Sequence, residues 1–172
     1  FRQGQFISIV GESGCGKTTL GMCILRLIEP TGGEVIFRDK NIVQLKDEDL
    51  LVCYQIDELD YTNQVVNFVA LDTCRVSKTL FINSTLKSFE VQDTVFDHCD
   101  FSNTEMIGSS FHRVMFKNCN LTGANFVEGM LVDCQFIDCV ADFSTFSYTN
   151  LKIVSFTESS LRESDFFEMK WQ

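Results

Sequence analysis

The chain has 172 residues with 24 acidic against 14 basic side chains, a formal net charge of −10, eight cysteines and one proline. That length suits one ordinary domain and excludes two large ones, and the excess of carboxylates repels nucleic acid and anionic membrane surfaces. No apolar run reaches the roughly 20 residues of a membrane helix, and the cysteines lack the paired spacing of a disulfide scaffold, so a soluble, cytoplasmic protein with free thiols is expected. Phe1 stands where an initiator Met or a signal peptide would be, so the natural N-terminus is expected upstream.

The first predicted element is a strand over the apolar run FISIV, followed by the loop GESGCGKTT and a helix over TTLGMCILRLI. The loop matches the GxxxxGK[ST] pattern in its required setting, between a strand and a helix. Gly11, Ser13, Gly14, Cys15, Gly16, Lys17, Thr18 and Thr19 are the candidate nucleotide-binding residues. Backbone N–H groups there face phosphate oxygens, Lys17 reaches the outer phosphates and Thr18 is placed to ligate Mg²⁺. ATP with magnesium is therefore the one cofactor the sequence admits. A segment of about 50 residues buries too little surface to stand alone as a domain.

From Ile56 onward the rule changes. Every fifth residue from Ile56 to Trp171 is apolar, a run of 24 centres that includes Phe96, Phe116, Phe136 and Phe156. Neither a helix nor a flat strand has that period, so the segment is a repeat architecture. The residue two before each centre is mostly small, as at Cys99, Thr104, Cys119, Ala124 and Cys139. All 25 charged side chains of 56–172 avoid both positions. The chain therefore turns every five residues, with two side chains inward and three outward. Four such sides close a square coil of 20 residues, and six coils at about 4.8 Å each make a rod of about 29 Å. Residues 20 apart stack, which aligns the phenylalanines above on one ladder and Cys99, Cys119 and Cys139 on another.

Charge separates the two segments. Residues 1–55 hold six basic and seven acidic residues, whereas 56–172 hold eight and seventeen, a net of −9. The densest acidic stretch comprises Asp93, Asp97, Asp100, Glu105, Glu128, Asp133, Asp138 and Asp142, the candidate partner-binding residues. The aligned cysteines read as core packing, and no metal site is expected because no C-x-x-C pair or inward histidine accompanies them. His98 and His112 point outward in this register. No catalytic constellation is expected.

Residues 1–50 resemble the start of an ABC-transporter nucleotide-binding domain of the peptide-import type, best over GQFISIVGESGCGKTTLGMCILRLIEPTGGEVIFRDKNIVQL. In that family hydrolysis also needs an LSGGQ signature, a Walker B pair and a switch histidine. None is found here: Gln55 and Asp72 sit in stretches that fit the five-residue repeat better, and Thr73 stands where the family has glutamate. An enzyme is not expected.

Residues 54–172, through DFSNT, NLTGANF and ADFSTF, resemble the pentapeptide-repeat family, and VFDHCDFSN, GSSFHRVMFKNCNLTGANF and ESDFFEMKW resemble its quinolone-resistance (Qnr) branch. The resemblance implies a mainly β fold, a right-handed quadrilateral β-helix of about six coils, here preceded by a short β–P-loop–α fragment. It further implies a DNA-mimicking rod that binds DNA gyrase or topoisomerase IV and protects it from fluoroquinolones, without binding nucleic acid or membrane itself. The family's C-terminal dimerisation segment has no counterpart after Trp171, which leaves a family-type dimer without its usual means. Two other readings stay open: an ATP-binding remnant of an ABC ATPase, and a structural or interaction β-helix without a topoisomerase partner. The expected division is 1–50 and 54–172, a junction that a natural gene fusion, a designed chimera or an assembly artefact would each produce.

Overall fold

The computed structural model describes residues 36–37, 40–41, 51–52 and 55–172, with side chains described for 56–66 and 70–172. The strand and helix expected around the phosphate loop, and Gly11 to Thr19 themselves, lie outside the described residues. The chain divides into two units, Phe1–Leu51 and Val52–Gln172. In the first, β1 (Ile36–Phe37) and β2 (Lys40–Asn41) pair antiparallel, with Ile36 opposite Asn41. Strand β3 (Leu51–Val52) lies at the division.

The second unit contains, in chain order, β4 (Gln55–Asp57), β5 (Val65–Asp72), β6 (Arg75–Ser77), β7 (Thr85–Gln92), β8 (Val95–Asp97), β9 (Ser110–His112), β10 (Met115–Lys117), β11 (Met130–Ile137), β12 (Asn150–Thr157) and β13 (Lys170–Trp171). Every pairing among them is parallel and joins residues 20 apart. On the first side Ile56, Val76, Phe96, Phe116, Phe136 and Phe156 stand in register, one per coil. The second side is held by bridges running from Asp60 through Leu80, Asp100, Asn120 and Val140 to Ser160. Strands β5 and β7 bend across the third and fourth sides, which continue to Asp165 and Trp171. The six-coil parallel solenoid expected from the period of five is the architecture found.

A corner every five residues needs backbone that reverses sharply, and the left-handed conformation supplies it. Twenty non-glycine residues between Glu58 and Glu168 have φ between 47° and 59°, and each lies two residues after an apolar centre. Gly108 and Gly123 fall in the same register with φ of 68° and 69°. On the second and third sides the corner closes as a β-turn: Thr104 N donates to Phe101 O at 3.1 Å, and Gly129 N to Phe126 O at 3.0 Å. Asn, Asp and Gly adopt this conformation readily, whereas other L-residues are strained by contact between Cβ and the following carbonyl. At Gly123 a Cβ would also collide with Asn103 Oδ1, so the glycine leaves room for that side chain, whose Nδ2 donates to Asn83 Oδ1 at 3.2 Å.

The core is a column of side chains in layers. All twenty centres from Ile56 to Leu151 are buried. Successive phenylalanines on the first side stack with centroids 4.6 to 5.0 Å apart, and Phe126, Phe146 and Phe166 on the third side stack at 4.8 and 5.0 Å. Rings on adjacent sides meet edge to face, as Phe101 and Phe116 do at 5.8 Å. Both geometries suit the aromatic quadrupole, and the spacing of the stacks is that of the coils. Phe156, Leu161 and Phe166 have a described coil on one side only and are half-buried, while Trp171 is exposed. Inward placement two before each centre holds from Cys74 to Val154, but Leu59 is half-buried and Gln64 exposed.

Ile153 occupies a left-handed corner, φ 54°, with its β-branched side chain 65% exposed. It pays the conformational penalty without the compensation of burial. Ile153→Asn is expected to raise stability by about 1 kcal/mol, seen as a higher urea midpoint at unchanged m-value.

Candidate functional site

The small residues two before each centre have a task the sequence did not disclose. Thr104 Oγ1 donates to Phe81 O at 2.6 Å, and Thr149 Oγ1 to Phe126 O at 2.9 Å. Cys99, Cys119 and Cys139 direct their thiols at the carbonyls of Val76, Phe96 and Phe116 over 3.4 to 3.5 Å. Each donor thus reaches a centre carbonyl 23 residues earlier and satisfies it inside the column. The recurrence of Ser, Thr and Cys at that position was the available signal.

This arrangement makes the cysteine ladder structural. Cys119 lies between the thiols of Cys139 and Cys99, which together with burial hold it protonated well above the ordinary thiol range. Burial likewise pushes the Cys134 thiol up to about 11. Among the described residues no group of three His, Cys, Asp or Glu is placed to hold a metal ion. Among the described residues two buried polar atoms, Tyr61 Oη and Ser109 Oγ, have no hydrogen-bond partner.

The eight candidate acids are not gathered on one face. Asp93 and Asp133 share the corner between the fourth and first sides, with Arg113 stacked between them; Asp97 lies on the first side, and Asp138 at the corner after it. Asp100 and Asp142 belong to the second side, Glu105 to the third and Glu128 to the corner beyond. Counting each corner with the side before it, the first and second sides carry nine acids and four bases, net −5, and the third and fourth carry eight and four, net −4. Carboxylates therefore wrap the coil nearly evenly, five, four, four and four per side, while the cations gather on the first and fourth sides.

Several of these carboxylates are already engaged. Arg113 grips Asp93 through Nε at 2.6 Å and Nη2 at 2.7 Å, and this bidentate pair holds the Asp93 carboxyl below the usual range. Burial raises Asp97, but donation from Asn118 and His98 and the charge of Arg75, whose Nη2 is 3.0 Å away, outweigh it and lower its pKa. Asp142 is lowered chiefly by Ser160 Oγ and by the backbone N–H of Arg162. Glu105 accepts from Asn125 Nδ2 at 2.7 Å, and Asp100 from Ser102 N at 2.8 Å. His98, outward as expected and 63% exposed in its side chain, contacts Asp97 at 2.8 Å. These interactions fix carboxylate orientations along the coils; they form no nucleophile–base pair.

Two family models match the sequence: ABC transporter over residues 1–127 and Pentapeptide repeat region over residues 109–172. Described residues 56–127 of the first match fold as parallel coils. The curated relatives align over less. The oligopeptide transport ATP-binding protein AppF of Bacillus subtilis (strain 168) is 45% identical over 49 residues, 28% of this chain and 15% of its own length. OppF of the same organism is 52% identical over 40 residues, 23% and 13% of the two lengths. The chain thus spans about 15% of the length of the curated relatives it matches. Among solved structures, a trypsin-treated variant of QnrB1, a plasmid-mediated fluoroquinolone resistance protein, aligns with TM-score 0.45 and 14% identity over 68% of this chain and 71% of that one. The pentapeptide repeat protein Rfr23 of the cyanobacterium Cyanothece 51142 aligns with TM-score 0.30 and 13% identity over 70% and 90%. Among the described residues no helix is long and apolar enough to cross a membrane.

The buried Cys134 thiol gives the solenoid an alkaline limit. Cys134 in the folded chain titrates near 11 against an ordinary 9.0, so the fold keeps a proton that the unfolded chain releases. Its contribution is complete below pH 9 and is lost as pH rises through about 11, a change of roughly 3 kcal/mol. Cys134→Ser, which retains a donor for Phe111 O, is expected to flatten the fall in Tm between pH 8 and 11 relative to the parent chain.

Proposed function

This chain belongs to the ABC transporter family by its match over residues 1–127 and carries a pentapeptide repeat region over 109–172, and from that premise we propose that its working part is the acidic solenoid, which binds DNA gyrase or topoisomerase IV and protects it from fluoroquinolones. The observation that carries this reading is the even distribution of carboxylates around a rigid parallel coil. A protein groove evolved for duplex DNA presents cations to both strands, and a rod charged on all sides meets it in any rotational setting.

The magnitude limits what charge alone contributes. A net of −9 over about 29 Å is roughly one charge per 3 Å, against one per about 1.7 Å in duplex DNA. Shape and individual contacts must supply much of the affinity. Asp100, Glu105, Glu128, Asp133, Asp138 and Asp142, with Asp93 and Asp97 held by arginine beside them, are the proposed contact residues. Protection needs binding and no bond chemistry, so the solenoid has no catalytic role in this scheme. The functional division falls at 1–50 and 54–172, and the site of action is the cytoplasm, where such enzymes and reduced thiols coexist.

A second reading is favoured by one observation, the 45% identity of a 49-residue stretch to a peptide-transport ATPase. Gly11 to Thr18 would then hold the phosphates of ATP through backbone N–H groups and Lys17, with Thr18 toward Mg²⁺.

The test is gyrase supercoiling in the presence of a fluoroquinolone, titrated with the whole chain. Restored supercoiling is expected, weakened about tenfold by the quadruple variant Asp100→Asn, Glu105→Gln, Asp138→Asn, Asp142→Asn, since exposed charges contribute a few tenths of a kcal/mol each. No protection by the parent chain of either gyrase or topoisomerase IV would overturn the proposal. Lys17→Ala is expected to leave protection unchanged; ATP binding to the parent chain that this substitution abolishes would establish the second reading.

A further inference from the structure

Two neighbouring left-handed corners carry Phe or Tyr, which no other described corner of that kind does. Phe143 and Tyr148 both occupy left-handed corners, each with φ 58°, where Asn or Gly would be unstrained. Neither gains burial in exchange: they are 59% and 50% exposed. Ile153 shares this strain, so what distinguishes Phe143 and Tyr148 is that they adjoin other exposed apolar side chains on one side of the coil. These two corners flank the third side, on which Ile107 and Phe167 are 50% and 56% exposed. Phe167 and Tyr148 touch edge to face at 5.7 Å, so the apolar surface is continuous across the coil boundary.

The same face differs from its neighbours in charge. Between Asn103 and Glu168 the third side and its corners carry Glu105, Glu128, Glu163, Asp165 and Glu168 and no cation. Each other side has at least one in those coils: Arg113 and Lys152 on the fourth, Lys117 on the first and Arg162 on the second. An apolar strip edged mainly by carboxylates, with Lys87 one coil below Ile107 as the one cation of this side among the described residues, is complementary to a segment that presents apolar side chains with Lys or Arg beside them. A second copy of the same face is unsuitable, because apposition would set five carboxylates against five.

We propose that the third side between Asn103 and Glu168 is a docking surface for a basic, amphipathic segment of another protein, with Phe143, Tyr148 and Phe167 as its apolar anchors. Aromatic anchors ringed by charge are the usual carriers of interface affinity. The inference does not depend on a topoisomerase being the partner.

The test uses a labelled leucine–lysine amphipathic helical peptide as probe, with the whole chain and two double variants. Phe143→Asn with Tyr148→Asn removes the anchors while relieving both corners, so it should melt at or above the parent temperature and bind the probe at least about tenfold more weakly. Met130→Ser with Val140→Ser removes exposed apolar side chains from the fourth and second sides and should bind as the parent does. Equal binding by all three proteins, or no binding by the parent, would overturn the proposal. So would a parent chain that sediments as a dimer and becomes monomeric in the Phe143, Tyr148 variant, since the occupant would then be a second copy.

Discussion

Backbone pairing between coils is the constraint on which the solenoid rests. A single coil leaves its N–H and C=O groups pointing along the axis, where only the coils above and below can satisfy them. Parallel pairing at a fixed separation of 20 residues does this on all four sides. Once that register is set, a centre must lie directly over the centre of the coil beneath, and rings stack because they have no other place to go. The two-layer logic of an ordinary sheet is absent here. The inward surfaces of four sides meet in one column too narrow for a charged group.

The corners and the donors two before each centre follow from the same constraint. Turning the chain every five residues interrupts the ladder, and the carbonyls nearest the turn would be left in an apolar column. Hydroxyls and thiols of Thr104, Thr149, Cys99, Cys119 and Cys139 reach those carbonyls from the next coil. The buried cysteines are therefore donors of weak hydrogen bonds in a crowded interior. Their alignment follows from the coil period and serves packing.

Much of this was legible from apolar periodicity alone. The five-residue period, its multiple of twenty and the exclusion of charge from two positions in five gave the coil, its stacking and the outward direction of every carboxylate. The left-handed corner was hidden because the position accepts too many residue types: Asn103 and Asp133 advertise it, but Lys78, Arg113, Phe143 and Ile153 do not. The donor role two before each centre was likewise masked by Phe89, Val114 and Ala124, which fill the position without donating. Acidic residues close in sequence also looked like one patch. Their order modulo twenty disperses them around the coil, and a local density in the sequence says nothing of that. The phosphate loop was legible as a motif, and its chemistry rests on the residues themselves.

The fixed register also separates what the interior requires from what the surface displays. Because each side is one repeat long, insertion of a single repeat would preserve inward and outward directions while turning every later residue by a quarter revolution about the axis. Phe167 would then move to the neighbouring side, away from Ile107, with no change in the kind of residue buried. Such a fold can re-aim its outer surface by changes in length as well as by substitution. Deleting or duplicating one unit would thus shuffle the combination of side chains presented to a partner in a single event, which few other architectures permit.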